Sequence, residues 1–291
     1  MADALSRGLP VVALETSIVA HGLPAPRNLE AALASEEAVR SGGAVPATVA
    51  VIAGCLRIGL EKDDLRRLAE PGAAVRKLSS RDLGPAVAAG VDGATTVAGT
   101  LRAAALAGIR FLATGGIGGV HRGRADDQSA DLFELTRSQV AVFCAGAKMI
   151  LDVPATLERL ESLAVPVLGY GCDEFPAFYS ARSGRTVSAR VDGAAEAARA
   201  LAAAWELGAR GVVVAVPPPV ELLGAAGIVE QALAETAGAI GPEATPAALA
   251  RVAELSSGRA VDVNVELVVS NARVAAECAV AWSELGSRAG Q

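Results

Sequence analysis

Short apolar runs rich in β-branched residues alternate with segments of helical period along most of the chain. The clearest runs are VVALET at 11–16, ATVAVIAG at 47–54 and QVAVFCAG at 139–146. Each run is almost continuously apolar, which is typical of strands buried on both faces of a sheet. Helical segments between such strands would cover the two faces. The pattern therefore predicts an α/β protein with three layers, α/β/α.

The same patterns place the remaining elements within one body. The triple proline at 217–219 ends the last predicted strand, because proline cannot donate a hydrogen bond to a sheet. The helical remainder is predicted to pack back on the same body, so that residues 1–291 form a single domain. Further strands are predicted at 73–79, 110–116, 165–171 and 211–217, and helices near 28–41, 63–70, 80–90, 97–108, 130–137, 153–163, 193–208, 222–237, 246–256 and 262–285.

Composition excludes several classes of protein. A chain of 291 residues with 52% hydrophobic residues can bury a large core. The net charge of −6 argues against a nucleic-acid surface, which needs clustered basic side chains, but does not exclude nucleotide-sized ligands. We expect no membrane partner, because no apolar run reaches membrane-spanning length and the N-terminus lacks the apolar core of a signal peptide. The four cysteines form no CxxC pair, which favours a reducing, cytoplasmic location.

Lys148 is the residue with the clearest chemical implication. The chain contains three lysines and twenty-three arginines, and this lysine lies in the apolar run QVAVFCAGAKMI. A surface position in such a chain would accept arginine, whereas an amine among apolar neighbours can be held neutral and can attack a carbonyl carbon. The alternative is a lysine whose stem packs on a strand end while its ammonium reaches water. Lys148 is therefore a candidate Schiff-base nucleophile.

Several other polar residues lie near the ends of predicted strands, where open α/β sheets bind their ligands. Glu15 follows the first strand in an apolar setting that suits a general acid, although an ion-paired or helix-capping glutamate has the same pattern. Thr114 begins the glycine-rich segment TGGIGGVHRG, which includes His121 and whose bare backbone could approach a phosphate. The spacing of this segment matches neither a dinucleotide-binding motif nor a P-loop. Lys77 lies near the end of a further strand.

The segment RADDQSADL places Asp127, Ser129 and Asp131 at every second position. In an extended segment these side chains would share one face, and Ser129 with Asp131 also resembles the start of a helix. Carboxylates without clustered Cys or His suit a hard cation such as Mn²⁺ or Mg²⁺ held largely through water, and a solvated loop is the alternative. Near the C-terminus, Asn264 and Asn271 would share one face of a helix, where an amide can read the edge of a base or cap a helix.

Ten segments along the chain carry a family resemblance. In order they are ALETSIVAHGLPAPRN, GAVPATVAVIAG, KLSSRDL, DGATTVAGT, ATGGIGGVHRG, SADLFEL, CAGAKMILD, PAF, TPAALARVAELSSG and NVELVVSNA. From about Pro10 to Leu285 the chain resembles the pseudouridine-5′-phosphate glycosidases, which include indigoidine synthase A-like proteins. The resemblance implies an α/β/α fold around a central mixed, largely parallel sheet. It also implies reversible cleavage of the C–C glycosidic bond of pseudouridine 5′-phosphate to uracil and ribose 5-phosphate, in pseudouridine catabolism.

The resemblance also implies which groups react. Lys148 would attack C1′ of the sugar and open the ring to an imine, and Glu15 would donate a proton to the uracil carbon. Asp131 would act as a proton shuttle during ring opening. The chemistry requires both a nucleophile such as Lys148 and an acid such as Glu15, because a C–C glycoside has no leaving atom with a lone pair to protonate. An iminium at C1′ supplies the stabilisation that an oxocarbenium route alone would not.

Binding positions and partners follow from the same resemblance. Asp127 matches the ligand of one Mn²⁺ per subunit. Thr114 and His121 would bind the phosphate group of the substrate, and Asn264 would lie near the base. The chain would act on small molecules as a homotrimer. The remaining substrate-binding positions would be Lys77, Val97, Ser129, Ala130 and Asp131.

Two alternatives stay open from the sequence. A related imine-forming sugar-phosphate lyase or C-glycoside enzyme would retain Lys148 and Glu15 but act on a different base. A non-catalytic protein that binds a phosphate ligand would need no reactive lysine. A panel of substrates distinguishes the first alternative, and borohydride trapping at Lys148 distinguishes the second.

Overall fold

The computed structural model describes residues 1–239 and 244–289, with side chains described as far as residue 285. Within these residues, ten strands form a central sheet and two more form a hairpin. The strands are β1 Val11–Leu14, β2 Val45–Ile52, β3 Cys55–Ile58, β4 Arg76–Leu78, β5 Gly93–Thr95, β6 Phe111–Ala113, β7 Val120–His121, β8 Arg124–Gln128, β9 Ala141–Cys144, β10 Val167–Tyr170, β11 Ala189–Val191 and β12 Val212–Ala215. The helices are α1 Ala2–Ser6, α2 Arg27–Ser41, α3 Lys62–Ala69, α4 Leu83–Ala88, α5 Val97–Leu106, α6 Ala130–Leu135, α7 Val153–Ser162, α8 Ala194–Glu206, α9 Ala225–Glu235, α10 Ala244–Leu255 and α11 Arg259–Ala289.

The strand order in the central sheet is β11-β10-β12-β9-β6-β1-β2-β5-β4, with β3 paired to β2. Most neighbouring strands are parallel. In the middle of the sheet, Val12 of β1 lies opposite Phe111 of β6, and Leu14 lies opposite Thr48 of β2. Strand β2 is antiparallel to both β3 and β5. The sheet is therefore mixed and largely parallel, which confirms the predicted fold class.

Alternate residues of the central strands point into two different cores, because successive side chains of a strand lie on opposite faces. Ala13 packs in one core with Leu101 of α5. Val12 and Leu14 pack in the other core with Leu201 of α8. All residues of β1, β9 and β12 are buried. Helices thus cover both faces of the sheet, and the three-layer prediction is confirmed.

The C-terminal helix α11 packs along α2 and α8 and across β1 and β6. Small buried residues such as Ala272 and Ala276 allow this close approach. At the end of α2, a side chain on Gly42 would lie only 2.6 Å from the Ala276 Cβ atom. Helix α11, which follows the last strand, thus packs against both strands and helices of the layered body. None of the described helices is long and apolar enough to span a membrane.

Some short elements lie outside the predicted set, namely α1, β3, β5, β7, β8, β11 and a π-helix at Ile18–Gly22. Strand β8 has the polar sequence RADDQ with three exposed residues, and β5 has only three residues, so neither carries a continuous apolar signal. The strand predicted at 73–79 is shorter in the structure, where only Arg76–Leu78 pairs with β5. The helix predicted at 80–90 begins as a 3₁₀ turn, Ser80–Asp82, before α4.

Candidate active site

The carboxyl ends of three neighbouring strands bring the predicted reacting residues together. Glu15 follows β1, Thr114 follows β6, and Lys148 lies in the loop after β9. These strands are adjacent and parallel, so their carboxyl ends share one edge of the sheet. Residues far apart in sequence thereby meet around one cavity, which has Glu15 and Lys148 in its wall.

The side chain of Glu15 is half-buried at the end of β1. The Thr114 hydroxyl donates a hydrogen bond to Glu15 Oε1. Burial raises the pKa of Glu15, and the charge of Lys148 and the Thr114 hydrogen bond offset this effect only in part. Glu15 therefore keeps its proton to a higher pH than an exposed glutamate does, which is what a general acid requires.

Asn271 supports this arrangement from α11. Its Nδ2 atom donates to the carbonyl oxygens of Thr114 at 2.7 Å and Gly115 at 3.3 Å. Asn271 and Thr114 are both fully buried. The predicted shared helix of Asn264 and Asn271 is confirmed. Asn264 lines the central cavity, whereas Asn271 holds the backbone beneath Glu15.

The loop that carries Lys148 is tied to the glycine-rich segment. Lys148 N donates to the Ile117 carbonyl at 3.1 Å, and its own carbonyl accepts from Leu151 N at 2.9 Å. Gly146 has a φ of +77°, and a Cβ atom there would lie 1.9 Å from the Pro176 carbonyl oxygen. Only glycine fits this position, and the resulting turn holds Lys148 in the wall of the cavity that contains Glu15.

Asp131 is held by backbone amides on two sides. Its Oδ1 accepts from Ala98 N at the start of α5, and its Oδ2 accepts from Gly118 N, both at 2.8 Å. A side chain at Gly118 would lie 2.3 Å from the Ser129 hydroxyl. The sequence suggested that bare amides of the glycine-rich segment approach a phosphate. At Gly118 the amide instead serves the Asp131 carboxylate.

Three cavities make up the site. The central cavity, of about 50 Å³, has Glu15 and Lys148 in its wall. The cleft, of about 380 Å³, shares both residues with it and extends past the hairpin of β7 and β8. The groove, of about 520 Å³, shares His21 and Asn264 with the central cavity and extends along α10. The central cavity, with Glu15 and Lys148 in its wall, therefore adjoins two larger spaces.

Most of the predicted binding residues line the cleft. Thr114 lines neither the cleft nor the central cavity, and it reaches the site through its hydrogen bond to Glu15. This position differs from the phosphate contact that the resemblance implied for Thr114. The predicted residues that do line the cleft are Lys77, Val97, His121, Asp127, Ser129, Ala130 and Asp131.

Asp127, the predicted metal ligand, lies in β8 on the wall of the cleft. Its Oδ2 atom is 3.6 Å from His121 Nδ1 and 3.5 Å from Arg124 Nη2. Across the described ranges, no three His, Cys, Asp or Glu side chains are grouped as a metal site. Asp127 therefore supplies one carboxylate, with the His121 ring nitrogen as its nearest potential co-ligand. It fits a hard cation whose coordination is completed by water or substrate oxygens.

Sequence reasoning missed several residues that line the site. Thr96 lies in the cleft and caps α5, accepting a hydrogen bond from Gly99 N at 3.4 Å. A threonine just before an apolar helix is a helix-start signal that could have identified it. Phe178 and Leu249 line the central cavity without any local signal, although both lie in the family segments PAF and TPAALARVAELSSG. Ser17, Ser79, Arg81 and Thr245 also line these cavities.

Comparison with known proteins connects this site to a family. A family described as indigoidine synthase A like protein matches residues 1–281. The chain belongs to this family. The match covers the whole site, from Glu15 at the first strand to Asn264 in the last helix.

Two relatives of similar sequence share one name. A protein of Nocardioides sp. named pseudouridine-5′-phosphate glycosidase is 53% identical, over 98% of this chain and 95% of the relative. A protein of Escherichia coli (strain K12) with the same name is 48% identical, over 97% of this chain and 94% of the relative.

Two solved structures share the fold of the present chain. The prealnumycin C-glycosynthase AlnA, in complex with ribulose 5-phosphate, has a TM-score of 0.89 and 37% identity, over 99% of this chain and 96% of that chain. An indigoidine synthase A-like protein from Thermotoga maritima has a TM-score of 0.89 and 33% identity, over 95% of this chain and 94% of that chain.

Proposed function

We propose that the protein reversibly cleaves the C–C glycosidic bond of pseudouridine 5′-phosphate, consuming water and releasing uracil and ribose 5-phosphate. The observation that carries this proposal is the placement of Lys148 and Glu15 in the wall of one cavity, where burial raises the pKa of the carboxyl. Cleavage of a C-glycoside needs both a nucleophile and an acid that can protonate carbon. The names of the relatives support the choice of substrate.

In the first step Lys148 acts as the nucleophile. Its neutral amine attacks C1′ of the ribose, the bond between C1′ and the ring oxygen breaks, and the oxygen becomes the C4′ hydroxyl. Asp131 carries the proton from the attacking nitrogen to that oxygen, a role consistent with its fixed position on the cleft wall. The product is a ring-opened secondary amine that still carries the uracil.

In the second step Glu15 donates its proton to C5 of the uracil. The bond between C5 and C1′ then breaks, its electron pair remains with the uracil ring, and C1′ becomes an iminium with the Lys148 nitrogen. Water adds to the iminium and releases ribose 5-phosphate as its aldehyde. The proton left on Lys148 returns to Glu15, which lies close enough for the lysine charge to influence its pKa.

The lining of the cavities favours one orientation of the substrate. The cleft contains the cationic or protonatable side chains of Lys77, Arg81 and His121. A phosphate dianion is stabilised by such groups. The sugar phosphate therefore occupies the cleft, with C1′ at Lys148 in the central cavity. The base then lies toward Asn264 and the groove.

The metal and the assembly belong to the same proposal. Asp127 would hold one Mn²⁺ per subunit, and the ion would add positive charge on the cleft side of the site. We also propose a homotrimer, on the basis of the family resemblance alone. A cytoplasmic location is supported by the four cysteines, each of which is a free thiol.

The decisive experiment incubates the purified protein with pseudouridine 5′-phosphate and Mn²⁺ and follows uracil and ribose 5-phosphate by chromatography. Lys148→Ala should abolish product formation. Lys62→Ala, at an exposed position of α3, is the matched control and should retain it. Borohydride with ribose 5-phosphate should label the wild type at Lys148. Product formation by Lys148→Ala at the wild-type rate would disprove the imine mechanism.

A second candidate function is the cleavage or formation of a C-ribosyl phosphate with another aglycone. It is favoured by the structural similarity to a C-glycosynthase in complex with a pentose phosphate. The same two reacting residues would serve it. Failure of the folded protein with uracil, combined with turnover of another aglycone, would select this candidate.

A further inference from the structure

The groove and the cleft are separate spaces that each adjoin the central cavity. The central cavity shares lining residues with both spaces, whereas no described residue lines both the cleft and the groove. The three spaces are therefore arranged in the order cleft, central cavity, groove. With the phosphate in the cleft, atoms beyond the scissile bond point toward the groove.

The wall of the groove is mainly apolar and carries little free charge. Leu23, Leu249 and Val261 are among its lining residues. Glu254 also lines it, but this carboxylate is paired with Arg251 at 2.6 Å. The volume of about 520 Å³, against about 50 Å³ for the central cavity, lies in the range of roughly 300–1,000 Å³ that is typical of small-molecule sites. An uncharged organic group suits this lining better than a second phosphate does.

Asn264 lies at the junction of the central cavity and the groove. It is 6% exposed, it lines both spaces, and its Oδ1 atom has no hydrogen-bond partner. A buried acceptor without a donor is unfavourable, so a ligand N–H group at the junction would complete this site. The ring N–H of a uracil is a donor of this kind.

We propose that the groove extends the base subsite and that the enzyme also processes C-ribosyl phosphates whose uracil carries an uncharged alkyl or benzyl group on one ring nitrogen. This inference rests on the proposed function. The remaining ring N–H meets Asn264 Oδ1, and the substituent occupies the groove. The same bonds form and break as with the unsubstituted base, because the substituent is not attached to the carbon that Glu15 protonates.

The test compares the wild type on pseudouridine 5′-phosphate and on its 1-benzyl and 3-benzyl derivatives. We expect at least one derivative to be cleaved with a kcat/KM within about tenfold of the parent compound, because the groove accepts the added atoms. Loss of more than about a hundredfold with both derivatives would overturn the inference while leaving the proposed function intact. Inactivity on the parent compound as well would overturn both.

Variants that fill the groove provide the second readout. Ala250 and Ala253 of α10 line the groove and not the central cavity. Ala250→Trp and Ala253→Trp should each lower kcat/KM for the accepted derivative at least about tenfold and leave the parent within about twofold. Ala234→Trp, at an exposed position of α9, controls for the added ring. Equal turnover of the derivative by both groove variants and the control would place the substituent elsewhere and refute the proposal.

Discussion

Replacing Asn271 tests whether a buried amide holds the backbone next to the Glu15 carboxyl. Asn271 Nδ2 donates to the Thr114 carbonyl at 2.7 Å and to the Gly115 carbonyl at 3.3 Å, and its Oδ1 atom has no partner. Asn271→Leu removes both hydrogen bonds, each with a net value of about 0.5–1.5 kcal/mol, but it also removes the unpartnered oxygen. Asn271→Asp keeps the shape of the side chain and directs a carboxylate at the two carbonyls.

We therefore expect Asn271→Leu to lower the free energy of unfolding by about 1–3 kcal/mol, the value of two modest hydrogen bonds. Asn271→Asp should lower it by about 3–5 kcal/mol at neutral pH, because its buried charge has no partner. Equilibrium urea denaturation, followed by circular dichroism, measures both values. If Asn271→Asp proved as stable as Asn271→Leu, the two carbonyl oxygens would not face this position.

Other predictions concern the proposed reacting groups and the residues that hold them. Glu15→Gln cannot protonate the base, so the reaction should stop after ring opening and before uracil release. Intact-mass spectrometry should then detect protein that carries the whole substrate. Protein without this adduct would contradict the order of the steps. Thr114→Val removes a hydrogen bond that lowers the pKa of Glu15, so the alkaline limb of kcat/KM against pH should move to higher pH. Because the folded-state pKa of Glu15 is raised, its contribution to stability is present below the unfolded pKa and is lost as pH rises through the folded pKa. Thr114→Val should extend this loss to higher pH when the free energy of unfolding is measured by urea titration at several pH values. An unchanged pH profile would argue against the hydrogen bond. Gly146→Ala forces a Cβ atom against the Pro176 carbonyl and should lower the free energy of unfolding by more than about 2 kcal/mol in the same assay, whereas a neutral effect would mean that the turn relaxes freely.

Local patterns were sufficient to predict the layers of this protein and to single out Lys148 and Glu15 as candidate site residues. Runs such as VVAL and AVFC need cover on both faces, so the helices between them had to lie on two sides of a sheet. Lys148 was a candidate because a lysine in an apolar run is unusual in a chain with twenty-three arginines. Strand β8 was not evident, since its polar sequence RADDQ carries no apolar period.

The sequence by itself determined the α/β/α class, the elements with strong apolar patterns, and the identity of the amine and the carboxyl that meet at the sheet edge. Only the tertiary structure decided that Asp131 would accept from Ala98 and Gly118, that Asn271 would support Thr114, and that α10 would form the wall of the groove. The physical reason is the range of the interactions. Helical and strand periods depend on near neighbours, whereas these hydrogen bonds and packing contacts join segments far apart in the chain, which no local pattern specifies.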